Sequence, residues 1–139
     1  MAIFNNKWPF VGRGNQRTFV IQTRTTFNID NGAGSTADDA SIGPFPYDCY
    51  IVDAKANYTE ATDTSGAASA NFKTGITAGG ATLVAATALE VSKAIGGFTQ
   101  ATPLGVLVPA GTTIFTRHTG VATTEAGQYF VSYTILPKP

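Results

Sequence analysis

From Tyr50 to Tyr58 the chain alternates: Tyr50, Val52, Ala54, Ala56 and Tyr58 share one parity, and Asp53, Lys55 and Asn57 the other. Apolar residues at every second position mark a strand with one buried face. Cys49 and Ile51 put apolar groups on the second face, so the start of this strand is expected to be covered from both sides. Just before it, Pro44 and Pro46 bracket Phe45. Proline lacks an N–H and disfavours helical geometry in the residue before it, so the chain enters extended or turning. This stretch is the expected central strand.

The last strand is patterned more strongly still. Tyr129, Val131, Tyr133 and Ile135 oppose Gln128, Ser132 and Thr134, and Pro137 and Pro139 end the pairing. Arg17 to Ile29 reads as a further strand, with Phe19, Ile21, Phe27 and Ile29 inward and Val20 as the exception. Shorter strands are expected around Ala68–Gly75, Ala81–Val84, Phe98–Ala101, Leu104–Val108 and Thr112–His118, each bounded by glycine or proline turns. Asp30 to Gly43 spells a long polar loop. Ala85 to Ala94 fits either state, and its alanines predict a short helix at its start. About eight strands between turn signals predict an all-β fold, a β-sandwich or jelly-roll-like domain over residues 17–139.

Residues 1–16 break this pattern. Ile3, Phe4, Trp8, Phe10 and Val11 follow neither a period of two nor one of 3.6, and Pro9, Gly12 and Gly14 interrupt any regular element. The segment reads as an extended N-terminal arm. Its aromatics are costly to leave in water, so they either cover the domain's own surface or anchor another subunit. Phe4, Trp8, Phe10 and Arg13 are the candidate partner-binding residues, because tryptophan and arginine are enriched where short contacts carry binding energy.

Charge and chemistry narrow the function. Nine basic and nine acidic residues cancel, and only 13% of the 139 residues are charged, which argues against a nucleic-acid binder that must displace counterions. No apolar run nears the length of a membrane span and no cationic, cleavable leader is visible, so synthesis in the cytoplasm of a cell is the simplest expectation. Cys49 has no partner for a disulfide or a zinc site and reads as a small core residue. His118, the single histidine, lies near a strand end and is expected at the surface in a structural role. No Gly-x-Ser-x-Gly elbow and no phosphate loop is present. Asp53 with Glu60 or Asp63 is the one carboxylate pairing that glycoside hydrolysis could draw on, with no surrounding signature. Asp30, Asp38 and Asp39 raise the question of calcium, but the ligand order of an EF-hand is missing and a solvated acidic loop is expected. Asn57-Tyr58-Thr59 matches a glycosylation sequon, a three-residue pattern that arises by chance. No catalytic residue, metal or cofactor is therefore assigned.

Four segments, taken in order, carry a resemblance: Pro-Phe-Pro-Tyr-Asp-Cys-Tyr-Ile-Val-Asp-Ala from Pro44, Ala-Asn-Phe-Lys-Thr-Gly from Ala70, Val-Pro-Ala-Gly-Thr-Thr-Ile from Val108, and Gly-Gln-Tyr-Phe-Val-Ser-Tyr-Thr-Ile-Leu-Pro from Gly127. Over residues 44–137 this pattern of strands and turns resembles the small decoration, or cement, proteins of tailed-bacteriophage capsids. The resemblance implies a jelly-roll-like subunit on the outer capsid surface of a virion. It would be bound to the major capsid protein and to its own copies as a homotrimer, and would stabilise the shell by contact. The alternative is a carbohydrate-binding β-sandwich or a tail or head-fibre adhesin, and a third class is a small β-fold hydrolase. Tyr50, Tyr58, Tyr129 and Tyr133 at core-like positions favour the first over a sugar-stacking module, and the missing catalytic set disfavours the third.

Overall fold

A computed structural model describes residues 17–30, 38–63, 70–120 and 126–139. The two strongest alternating segments pair with each other. Strand β4 (Cys49–Glu60) lies antiparallel to β10 (Gln128–Pro137), and the two form the centre of the larger sheet. Their inward residues meet in cross-strand pairs, Tyr129 beside Tyr58, Val131 beside Ala56 and Tyr133 beside Ala54. Alanine opposite tyrosine leaves room for the ring to cross towards the second sheet, and all six side chains are buried.

One feature of β4 departs from the expected alternation. The register slips between Thr134 and Ile135, which pair with Asp53 and Ile51 and leave Val52 as the extra residue of a β-bulge. The bulge reverses the parity of everything before it. Cys49 and Ile51 therefore face the core together with Ala54, Ala56 and Tyr58, while Val52 is 45% exposed and Tyr50 only half-buried. The expectation that Tyr50 and Val52 join the core is corrected by this inserted residue.

The remaining strands are β1 (Phe19–Gln22), β2 (Phe27–Asn28), β3 (Asp38–Ile42), β5 (Asn71–Gly75), β6 (Val84–Ala88), β7 (Phe98–Ala101), β8 (Leu107–Val108) and β9 (Ile114–Thr119). In the larger sheet β1 and β2 pair with β10 on one side, and β7 and β8 pair with β4 on the other. The smaller sheet has the order β3-β9-β5-β6, and the two sheets pack face to face as a β-sandwich. The all-β sandwich expected from the sequence is the architecture of the chain. The segment expected as one strand from Arg17 to Ile29 is broken into β1 and β2 by residues 23–26, although Phe27 and Ile29 remain buried on the same side.

Three expectations are overturned. Residues 84–88 form strand β6 against β5 instead of opening a helix, and no helix occurs among the described residues. Alanine's preference for helix is small, and pairing with β5 outweighs it. Asp38–Ile42, read as loop, is a five-residue strand paired with β9. Of Leu104 to Val108 only Leu107 and Val108 pair. Gly105 adopts φ +72°, a left-handed conformation that interrupts the ladder.

The two long sides of the sandwich differ. On one, Val84 bridges Pro103 and the Leu104 N–H donates to the Leu83 carbonyl at 2.9 Å, which ties the sheets together. On the other, β1 and β3 are each paired on one side among the described residues.

Candidate functional site

Between the sheets the polar groups are tied to one another. The Tyr133 hydroxyl, carried by the larger sheet, bonds Thr74 Oγ1 at 2.6 Å and Thr116 Oγ1, both on the smaller sheet. The Tyr58 hydroxyl lies 2.5 Å from Thr99 Oγ1 and accepts the Glu90 N–H at 3.0 Å. The Tyr129 hydroxyl lies 2.5 Å from His118 Nδ1. His118 is therefore a core residue, stacked on Phe27 at 5.6 Å between centroids, and the expectation of a surface histidine is corrected. It sits on β9 at the parity of Ile114 and Thr116, which the sandwich turns inward. Burial of the three tyrosine hydroxyls is tolerated because each has a hydrogen-bonding neighbour.

The other chemistry-bearing residues are engaged in holding loops and strands. Asp48 accepts the Ala110 N–H at 2.8 Å, Asp63 the Ala126 N–H at 2.8 Å and Glu60 the Gly127 N–H at 3.0 Å. Asp53 and Glu60, seven residues apart on β4, are separated by about 23 Å at the rise of a strand, far beyond the spacing of a hydrolytic carboxylate pair. Asp39 takes both donors of Arg117, Nε at 2.8 Å and Nη2 at 2.7 Å, and this hydrogen bonding holds its carboxyl below the ordinary range. Among the described residues no group of three His, Cys, Asp or Glu is placed to hold a metal ion. Burial, followed by the charge of Asp48, pushes the Cys49 thiol up to about 11, which keeps it protonated and unreactive at neutral pH. Asn57 donates to Ser132 Oγ at 2.9 Å from the middle of the larger sheet.

The outer face of that sheet carries the larger sheet's second set of side chains. Its registers set four rows across the strands: Leu107–Tyr50–Leu136, Asp53–Thr134–Val20, Gln100–Lys55–Ser132–Gln22 and Phe98–Asn57–Phe130. The charged residues in these rows are Asp53 and Lys55, which pair at 3.8 Å and cancel. Lys55 Nζ also lies 4.8 Å over the Phe98 ring, and the Gln100 amide donates to Asp53. Further apolar side chains are exposed outside these rows. Val52 is pushed outward by the bulge, and Leu104 and Val106, either side of Gly105, are 51% and 46% exposed. A neutral patch of aromatic and aliphatic side chains with a polar surround has the composition of an interface core.

Phe4, Trp8, Phe10 and Arg13 lie outside the described residues, so the expected anchors are not located. The exposure of Val52, Leu104 and Val106 is not legible in the sequence. Val52 reads as core by parity and Leu104 to Val108 reads as an ordinary strand, and only the bulge and the Gly105 turn expose them. Comparison with family models, curated proteins and solved structures gave no match.

Proposed function

We propose that this chain is a structural virion protein, a decoration or cement subunit that binds the outside of a phage capsid and stabilises it by contact, without catalysis. Its partners in this reading are the major capsid protein and further copies of itself, as a homotrimer. The observation that carries the proposal is the charge-cancelled outer face of the larger sheet, together with the exposed apolar side chains of Val52, Leu104 and Val106. Such a surface gains free energy by being covered, and repeated copies on a lattice multiply weak contacts into firm attachment. Phe4, Trp8, Phe10 and Arg13 of the arm are proposed as further anchors on a neighbouring subunit or on the shell. A sugar-stacking function is less well supported, because Tyr58, Tyr129 and Tyr133 are buried with their hydroxyls engaged.

The test is to delete residues 2–14 and to measure both the folding of the product and its attachment to the native particle. An intact β domain that has lost most of its attachment is expected. Undiminished attachment removes the arm from the proposal, and imaging that finds no copy of the protein on the capsid surface removes the proposal itself. Light scattering tests the homotrimer, which a monodisperse monomer at micromolar concentration together with monomers in the particle would exclude.

A further inference from the structure

We propose that the outer face of the larger sheet pairs with the same face of a second copy of this chain, about a two-fold axis that runs across the strands between the rows of Asp53 and Lys55. The inference goes beyond the decoration reading and stands without it. A three-fold contact joins two different patches, whereas a face that meets itself requires a two-fold.

The four rows of this face run in the order of Tyr50, Asp53, Lys55 and Asn57 along β4. Solvent reaches them: Val20 is 66% and Phe98 46% exposed, and the Asp53 and Lys55 side chains keep 33% and 36% of their surface. The first row is apolar at its flanks, with Leu107 and Leu136, and so is the fourth, with Phe98 and Phe130. The two charges lie in the rows between. Such a face reads the same from either end, except that the carboxylate and the ammonium exchange places.

That exchange selects the axis. Two sheets stacked face to face lie about 10 Å apart, with side chains from both filling the space. A two-fold parallel to the strands would lay each row on itself, Asp53 on Asp53 and Lys55 on Lys55, which like charges oppose. A two-fold across the strands, midway between the second and third rows, reverses the order of the rows instead. Asp53 then meets the second copy's Lys55, and Lys55 the second copy's Asp53. The same operation lays Leu136 on Phe130, both on β10, and Leu107 on Phe98, because β8 and β7 flank β4 on the same side. Thr134 falls opposite Ser132, so apolar groups meet apolar groups and hydroxyls meet hydroxyls. Four strands about 4.8 Å apart and four rows about 6.7 Å apart give a face of about 500 Å², and the pair buries about 1,000 Å² in all. That is the low end of specific interfaces, so the dimer is expected to be weak and to dissociate in the micromolar range.

Sedimentation equilibrium on the full-length protein tests this. The parent is expected to pass from monomer to dimer between about 1 and about 100 μM, and less readily as salt is raised. Asp53→Lys makes both central charges positive, and Lys55→Asp makes both negative. The two positions are at the surface, so each variant should keep the parent's far-ultraviolet dichroism. Each alone should associate at least about tenfold more weakly, and an equimolar mixture of the two should regain the dimer as a one-to-one heterodimer. Ile76→Lys, exposed just after β5 of the smaller sheet, should change nothing. If a single variant fails to fold, the combined Asp53→Lys, Lys55→Asp chain carries the test, since it should dimerise with itself and not with the parent. A parent that stays monomeric at about 100 μM overturns the proposal. So do single variants that dimerise like the parent, or a folded mixture that stays monomeric. The native particle is imaged alongside. A trimer that neither reversal weakens, with copies on the capsid, loses this inference and keeps the decoration reading; a heterodimer from the mixture, with no copy on the capsid, does the reverse.

Discussion

Replacing Tyr133 by phenylalanine removes one oxygen atom and, with it, one hydrogen-bonded link between the sheets. The hydroxyl is fully buried and bonds both Thr74 and Thr116, whose own side chains are wholly buried. Two bonds of about 1 kcal/mol each are lost, and two threonine hydroxyls are left to find weaker partners, so the expected cost is about 3 kcal/mol. With an unfolding entropy of about 2 cal/mol/K per residue, that lowers the melting temperature by about 10 °C. Urea denaturation and calorimetry measure both quantities. The triple variant Thr74→Val, Thr116→Val and Tyr133→Phe should recover most of the loss, because no donor or acceptor then remains unpaired. The same hydroxyl predicts an alkaline limb. Desolvation raises its pKa from 10.0 to about 12, against hydrogen bonds from Thr116 and Thr74 that lower it. A raised folded-state pKa means that the stabilisation is complete below pH 10 and is lost as pH rises towards 12, by roughly 3 kcal/mol in all. Tyr133→Phe should flatten that part of the curve. A variant that melts within about 2 °C of the parent, with an unchanged alkaline limb, would refute the role assigned to the hydroxyl.

Two further predictions concern packing and charge. Val131→Asp should abolish stable folding by placing a charge in the core, whereas Val52→Asp, on the outward bulge, should shift urea stability by less than about 1 kcal/mol; equal damage from both would mean the bulge is misplaced. The carboxyl of Asp39 is held low mainly by its hydrogen bonds to Arg117, so its contribution is present above the unfolded-state value of 3.8 and is lost as pH falls below it. Asp39→Asn should therefore reduce stability at pH 7 slightly and flatten the acid limb, an effect that salt weakens; an acid limb identical to the parent's would show that the pair contributes nothing.

Much of this protein is written in local pattern. Alternation marks β4 and β10, the parity of Tyr129, Val131, Tyr133 and Ile135 names one wall of the core, and the glycine and proline turns delimit most of the other strands. Period and turn chemistry suffice there because side-chain direction along a strand depends only on the residue's own position. Pairing decides the rest. Whether Val52 faces inward depends on a slip in its register with β10, and whether Ala85 to Ala88 is strand or helix depends on β5. His118 is a core residue because Tyr129 and Phe27 meet it from the other sheet. Gln100 stands beside Asp53 and Lys55 on the outer face because β7, distant in sequence, pairs with β4. Each of these is a contact between segments far apart in the chain, and a hydrogen-bonded sheet settles such contacts only when it closes its ladder as a whole.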